Sequence, residues 1–252
     1  MYRLANHMYH LYHTDAFVLG GTPSGEGSKT ISLFTRELGF LVASAQSVRE
    51  ERSKLRYGLQ DFSYSEITLV RGKEFWRVTN AALKENIFQA LVGSREARRM
   101  VGRIFALLRR LLAGEEKNEP LFVAVLEGLQ FIKSGNSPFP KGSTPSSEEG
   151  FYNPRLADSA PPLLRGINPP AYRPPPCLAG RQALRKEEQI VGAEIVLVLR
   201  ILYLLGYLAP RDEFDPFLSH SALWDESIIS NALLFRALAI SEINQSLRET
   251  QL

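Results

Sequence analysis

Two groups of cations are the residues best suited to do chemistry. Between β-rich segments the chain carries Arg49, Arg52, Lys54 and Arg56, with the ring of Tyr57 next to them. Cations follow a phosphate backbone and rings stack on unpaired bases, so this set suits single-stranded nucleic acid. Glu50 and Glu51 interrupt the run, and a solvated loop is the plainer reading of the same residues. The second group, Arg95, Arg98, Arg99, Arg103, Arg109 and Arg110, includes spacings of three and four that set several guanidinium groups along one helical stripe. It offers a secondary basic surface at Arg95, Arg98, Arg99 and Arg103, or simply the solvated face of a helix.

Other candidate chemistry fails on inspection. Gly20 and Gly25 have the spacing of P-loop glycines, but Glu26 stands where the lysine belongs and would meet phosphate with a negative charge. His7, His10 and His13 lie three apart with no cysteine and no second cluster, which is a poor metal set. No Gly-x-Ser-x-Gly elbow surrounds any serine, and His220 lies between Ser219 and Ser221 without a triad order. The chain is expected to be no enzyme, with no catalytic residues, no metal and no cofactor.

Composition agrees with a globular protein of one large or two small domains: 252 residues, 44% hydrophobic and 23% charged. Cys177 is the one cysteine, so neither an internal disulfide nor a sulfur-rich zinc site is available. The formal charge of +3 conceals a gradient. From Leu83 to Leu112 there are 7 basic and 2 acidic residues, and from Glu187 to Leu252 there are 4 basic and 10 acidic. A basic front points to a polyanion partner. Met1 to Leu19 scatters His, Arg and Asp where a secretory leader needs an unbroken apolar core, and Ile190 to Leu208 is interrupted by Glu194 and Arg200, so neither export nor a membrane is expected.

The elements that must position these cations follow from pattern. Five β-rich segments, Tyr12–Leu19, Thr30–Leu38, Phe40–Ser47, Phe62–Val70 and Phe75–Ala81, are separated by glycines at 20, 21, 25, 27, 39 and 72. Five short antiparallel strands in about 70 residues predict a small closed barrel, an OB-fold first and an SH3-like barrel second. From Lys84 the apolar period becomes helical, through Ile87 and Leu91, then Val101 to Leu112 and Phe122 to Ile132. A long helix is predicted from about Arg181 to Leu205, ended by Gly206, and a last one from about Ile228 to Leu247. Of 15 prolines, 11 lie between Pro138 and Pro176, which predicts an extended, disordered insertion dispensable for the fold. The fold class is therefore α+β, β then α: an OB-fold nucleic-acid-binding domain over 1–83, helical domain over 84–137, insertion over 138–180, and the rest of the helical domain over 181–252.

One succession of residues is more specific than any of these patterns. Tyr12-His13-Thr14-Asp15-Ala16-Phe17-Val18-Leu19, Gly25-Glu26, Thr30 to Gly39, Ser53-Lys54-Leu55-Arg56 and Leu59-Gln60 occur in the order and style of the bacterial RecO family, which the chain resembles from Tyr9 to about Ile132. Leu197 to Leu208 resembles that family's helix with its Leu-Gly turn. The resemblance implies an N-terminal OB-fold and a helical domain, single-stranded DNA binding, strand annealing, and DNA repair and recombination in the cytoplasm, associated with the nucleoid. It also implies RecR and the single-stranded-DNA-binding protein as partners, with RecA served indirectly. Arg36, Arg52, Lys54 and Arg56 match the family's basic surface; Arg49 and Tyr57 join them on composition alone. Many members carry four cysteines after the Leu-Gly turn, where this chain has Arg211-Asp212-Glu213-Phe214-Asp215-Pro216, so a zinc-less member is expected. An RNA-binding OB protein and a scaffold that binds no nucleic acid remain the alternative functions.

Overall fold

The protein is described by a computed structural model over residues 10–73, 75–135, 176–218 and 224–249, with backbone only for 176–185. Strands β1 (Leu11–Ser24), β2 (Ser28–Thr35), β3 (Gly39–Ala45), β4 (Ser63–Arg71) and β5 (Trp76–Asn86) close into a barrel in the order β1-β2-β3-β5-β4. Neighbours are antiparallel except β3 and β5, whose parallel pairing of Ala43 with Trp76 and Ser44 with Arg77 closes the ring. A short helix, α1 (Leu55–Gly58), lies between β3 and β4. This is the OB arrangement.

All five predicted strands are present, but β1 and β5 are longer than their patterns suggest. Gly20 and Gly21 do not end β1; the strand bulges between Val18 and Gly20 and continues to Ser24. A side chain at Gly21 would come within 2.8 Å of the Thr30 carbonyl oxygen, so glycine there serves a close strand approach, not a turn. β5 runs to Asn86, which makes Lys84 and Glu85 strand residues instead of the start of a helix. Ile87 and Leu91 belong to the one-turn helix α2 (Ile87–Ala90) and its cap.

Alternation fills the barrel with Ala16, Val18, Ile31, Leu33, Ala43, Ile67, Leu69 and Val78. Part of the opposite face of β1 and β2 is buried too, at Phe17, Leu19 and Phe34. Phe17 and Phe34 project outward against α3 (Arg95–Leu111) and α4 (Glu119–Gly135), with ring centroids 4.9 Å from Phe17 to Phe122, 5.9 Å from Phe17 to Phe105 and 5.4 Å from Phe34 to Phe122. Barrel and helices therefore share one apolar seam. The connection between α3 and α4 lies on the β2–β3 turn, where Gly39 (φ +71°) is required: a Cβ there would stand 2.1 Å from the Glu116 carbonyl oxygen.

The helices carry ordinary signals. Ser94 caps α3 by accepting from the Ala97 N–H at 3.2 Å, and Arg109 and Arg110 occupy the last turn, where cations suit the helix dipole. The long helix α5 (Pro176–Leu204) begins with proline and ends at Gly206, where the Tyr207 N–H bonds the Leu202 carbonyl and the Gly206 N–H bonds that of Tyr203. Its start means that residues 176–180, predicted as insertion, are helical. The predicted insertion from 138 to 175 lies outside the described residues. The predicted last helix is two, α7 (Glu226–Leu234) and α8 (Arg236–Glu249), because Phe235 leaves helical geometry (φ −91°, ψ 11°) and sets its ring edge-on to Phe217 at 6.3 Å.

Arg211 to Pro216 leads into one further turn, α6 (Asp215–Leu218). Phe214 and Phe217 are fully buried, Arg200 donates to the Phe217 carbonyl at 2.7 Å and lies 4.7 Å from the Trp224 ring centroid, and Arg211 bridges Glu242 at 2.7 Å. Aromatic burial and two guanidinium groups hold this corner. Burial lowers the pKa of Arg200, an effect that Glu127 partly offsets. Among the described residues no helix is long and apolar enough to cross a membrane.

Candidate nucleic-acid interface

The loop after β3 is fixed at several points and open between them. Val48 and Leu59 are buried in the barrel core, the Arg49 N–H bonds the Gly27 carbonyl at 3.0 Å, and Ser47 takes φ +52° to turn the chain. Gly58 seats α1 against β5, since a side chain there would lie 2.7 Å from the Ala81 carbonyl oxygen. On this frame Arg49, Arg52, Lys54 and Arg56 are all exposed, and Tyr57 is 65% exposed. None of the four cations forms an ion pair among the described residues. Fixed backbone with free positive side chains is a surface that can neutralise phosphates at little ordering cost to the protein. The loop also exposes Glu50 and Glu51, and Lys29 beside it is committed to Asp61 at 2.6 Å.

Arg36 is not brought to this loop. It follows β2 at the end opposite Lys29, seven residues or about 23 Å along the strand. There its Nε donates to Glu119 at 3.0 Å and a second nitrogen lies 2.9 Å from the same oxygen. Lys117, and after it Arg36, hold the Glu119 carboxyl below its ordinary pKa, while Glu37 and then Glu119 raise that of Lys117. Four charges thus tie the β2–β3 turn to the start of α4.

The α3 stripe is similarly occupied. Arg103 forms a forked pair with Glu194 of α5 at 2.5 and 2.6 Å, which raises its pKa, and Arg99 bridges Glu96 at 2.8 Å. Arg98 lies 5.7 Å from the Phe88 ring centroid. Arg95 is exposed without an ion pair among the described residues, as are Arg109 and Arg110, and the Arg109 guanidinium covers Gly20. Nearer the seam, Tyr64 donates to Asp15 at 2.8 Å and Lys84 bonds the other carboxylate oxygen at 2.5 Å. Burial first, and then Asp15, push the Tyr64 hydroxyl up to about 12.

His13 sits in β1 with Nδ1 3.1 Å from the Thr68 hydroxyl; His7 and His220 lie outside the described residues, among which no three His, Cys, Asp or Glu groups gather as a metal site. The sequence reading passed over Phe75, taken as the first residue of a strand. It lies outside β5 with 71% of its surface exposed. An aromatic residue close after the Gly72–Lys73 turn, followed by Trp76 and Arg77, was the available signal.

Residues 8–87 match the family described as Recombination protein O N terminal. DNA repair protein RecO of Pelotomaculum thermopropionicum is 33% identical over 127 residues, covering 50% of this chain and 49% of that protein. The RecO of Dehalococcoides mccartyi strain CBDB1 is 30% identical over 129 residues, 51% of each chain, and that of Heliobacterium modesticaldum 41% over 83 residues, 33% of this chain and 30% of the other. The chain thus spans about half the length, or less, of these curated relatives. The matched segment contains all five strands of the closed barrel, and over this segment the chain is similar to RecO proteins.

Proposed function

We propose that this protein is a non-enzymatic mediator of DNA repair and recombination that binds single-stranded DNA on its barrel and anneals complementary strands. The observation that carries the reading is the anchored loop whose Arg49, Arg52, Lys54 and Arg56 are exposed and unpaired among the described residues, with Tyr57 beside them. Cations placed this way follow a phosphate backbone, and the ring offers a stack to an unpaired base. Neutralising phosphates on two strands lowers their mutual repulsion, which brings complementary strands together. Kinship with RecO proteins adds the expected setting: cooperation with RecR so that RecA replaces the single-stranded-DNA-binding protein, inside the cytoplasm and at the nucleoid.

A gel shift with a labelled single-stranded oligonucleotide tests this. With four phosphate contacts, affinity should fall about 50-fold between about 50 and 200 mM salt. No shift at the lower salt would leave the scaffold reading. Competition by RNA of equal length as strong as by DNA would favour an RNA-binding protein instead.

A further inference from the structure

We infer that single-stranded DNA runs from the basic loop along the exposed β3–β5 face to a second base-stacking position, the ring of Phe75. This rests on the single-strand reading above and adds a path to it. Two exposed aromatic rings mark the ends: Tyr57 on α1 at 65% and Phe75 beyond the β4–β5 turn at 71%. They are connected by β5. Gly58 packs against Ala81, and Trp76, next to Phe75, lies five strand residues or about 17 Å away.

The surface between them has the character a strand of DNA needs. β3 and β5 are parallel neighbours, so the exposed Val42 lies beside the Ala43–Trp76 pair and Ser44 lies opposite the exposed Arg77. Both strands run toward the loop that carries Arg49 to Arg56, so the cations at the start of β5 lie beside the end of β3 from which that loop departs. From Arg71 to Arg77 the sequence holds three cations and one carboxylate. Arg71 is partly engaged, lying 5.4 Å from the Trp76 ring centroid and 3.6 Å from Glu115. Lys73 and Arg77 are exposed and form no ion pair among the described residues.

The backbone that carries Phe75 is held on both sides. The Gly72 N–H bonds the Phe75 carbonyl at 2.9 Å, closing the turn, and Trp76 anchors the next residue by donating to Glu115 at 2.7 Å and meeting Tyr12 edge-on at 5.1 Å. An exposed aromatic ring on an anchored backbone between cations is complementary to a base and its flanking phosphates. One OB barrel commonly covers 4 to 16 nucleotides, which a path of about 17 Å and its two ends can accommodate.

The test uses the full chain and two probes of equal length, an oligothymidylate and an abasic strand with the same phosphates. Phe75→Ala should weaken oligothymidylate binding by about 5- to 150-fold, the range for loss of one base–ring stack, and leave the abasic strand and the melting temperature unmoved. Phe75→Trp should restore the affinity. Arg77→Ala should flatten the plot of log affinity against log salt by about 0.7 for both probes. If Phe75→Ala binds oligothymidylate as tightly as the parent, or loses both probes equally, the stacking position is wrong. Should the parent protein bind neither probe, the single-strand reading itself falls; should it bind and respond only to changes at Arg52, Lys54 and Arg56, the loop stands and the path does not.

Discussion

The stretch from β3 through α1 and the seam between barrel and helices are both rich in cations, and the structure uses them in opposite ways. In the first, Arg49 and Arg56 have backbone anchors, and none of Arg49, Arg52, Lys54 and Arg56 has a carboxylate partner among the described residues. At the seam and along α3, Arg36 meets Glu119, Lys84 meets Asp15, Lys133 meets Glu85 and Arg103 meets Glu194. A count of positive charges cannot tell these regions apart. What separates them is whether a carboxylate from another element comes within reach, and a cation already engaged gains less from a phosphate than one left in water.

The contrast breaks most visibly through the seam. Phe122→Ala removes a ring that contacts Phe17 and Phe34 across the boundary, and should cost about 3–5 kcal/mol in a denaturant titration. Because the two regions share a core, barrel and helices should unfold together. Two separate transitions in the parent protein would show that the seam does not couple them.

A smaller effect sharpens the distinction between occupied and free cations. Arg36→Ala and Arg103→Ala should each lower stability by less than about 1 kcal/mol, since both pairs are partly exposed and screened by water. Neither should change the salt dependence of DNA binding. A clear loss of slope with Arg36→Ala would return Arg36 to the DNA surface, where the family resemblance groups it with Arg52, Lys54 and Arg56.

A further effect is read at high pH. The Tyr64 hydroxyl is held up to about 12 from an ordinary 10.0, so its stabilising contribution is complete below about 10 and is lost as pH rises toward 12. Melting temperature should decline over that window, and Tyr64→Phe should flatten the decline. An identical high-pH decline in the variant would mean that this hydroxyl does not titrate with the fold.

Much of the barrel was legible because its signals are local. Alternation gave five strands, and Gly39 and Gly72 marked turns that the structure contains. The run Ala16-Phe17-Val18-Leu19 is apolar without alternation, and its burial on both faces explains why. Gly20 and Gly21 misled because glycine serves a close strand approach as readily as a turn. Phe235 carries no helix-breaking signal, so the division of α7 from α8 could not be read. The pairing of cations was the least legible, because Arg36 and Glu119 lie 83 residues apart and Arg103 and Glu194 lie 91 apart. The exposed loop cations looked no different in sequence from these engaged ones.

The central claim, that the anchored loop is the phosphate-binding surface, is tested most directly by the salt dependence of single-stranded DNA binding in the variant Arg52→Ala/Lys54→Ala/Arg56→Ala. The account expects the slope of log affinity against log salt to flatten by about 0.7 per contact, roughly 2 in all, with the melting temperature unchanged within about 0.5 kcal/mol of stability. A variant that retains both the parent slope and the parent annealing rate would contradict it and direct attention to Arg95, Arg109 and Arg110 of α3, which form no ion pair among the described residues.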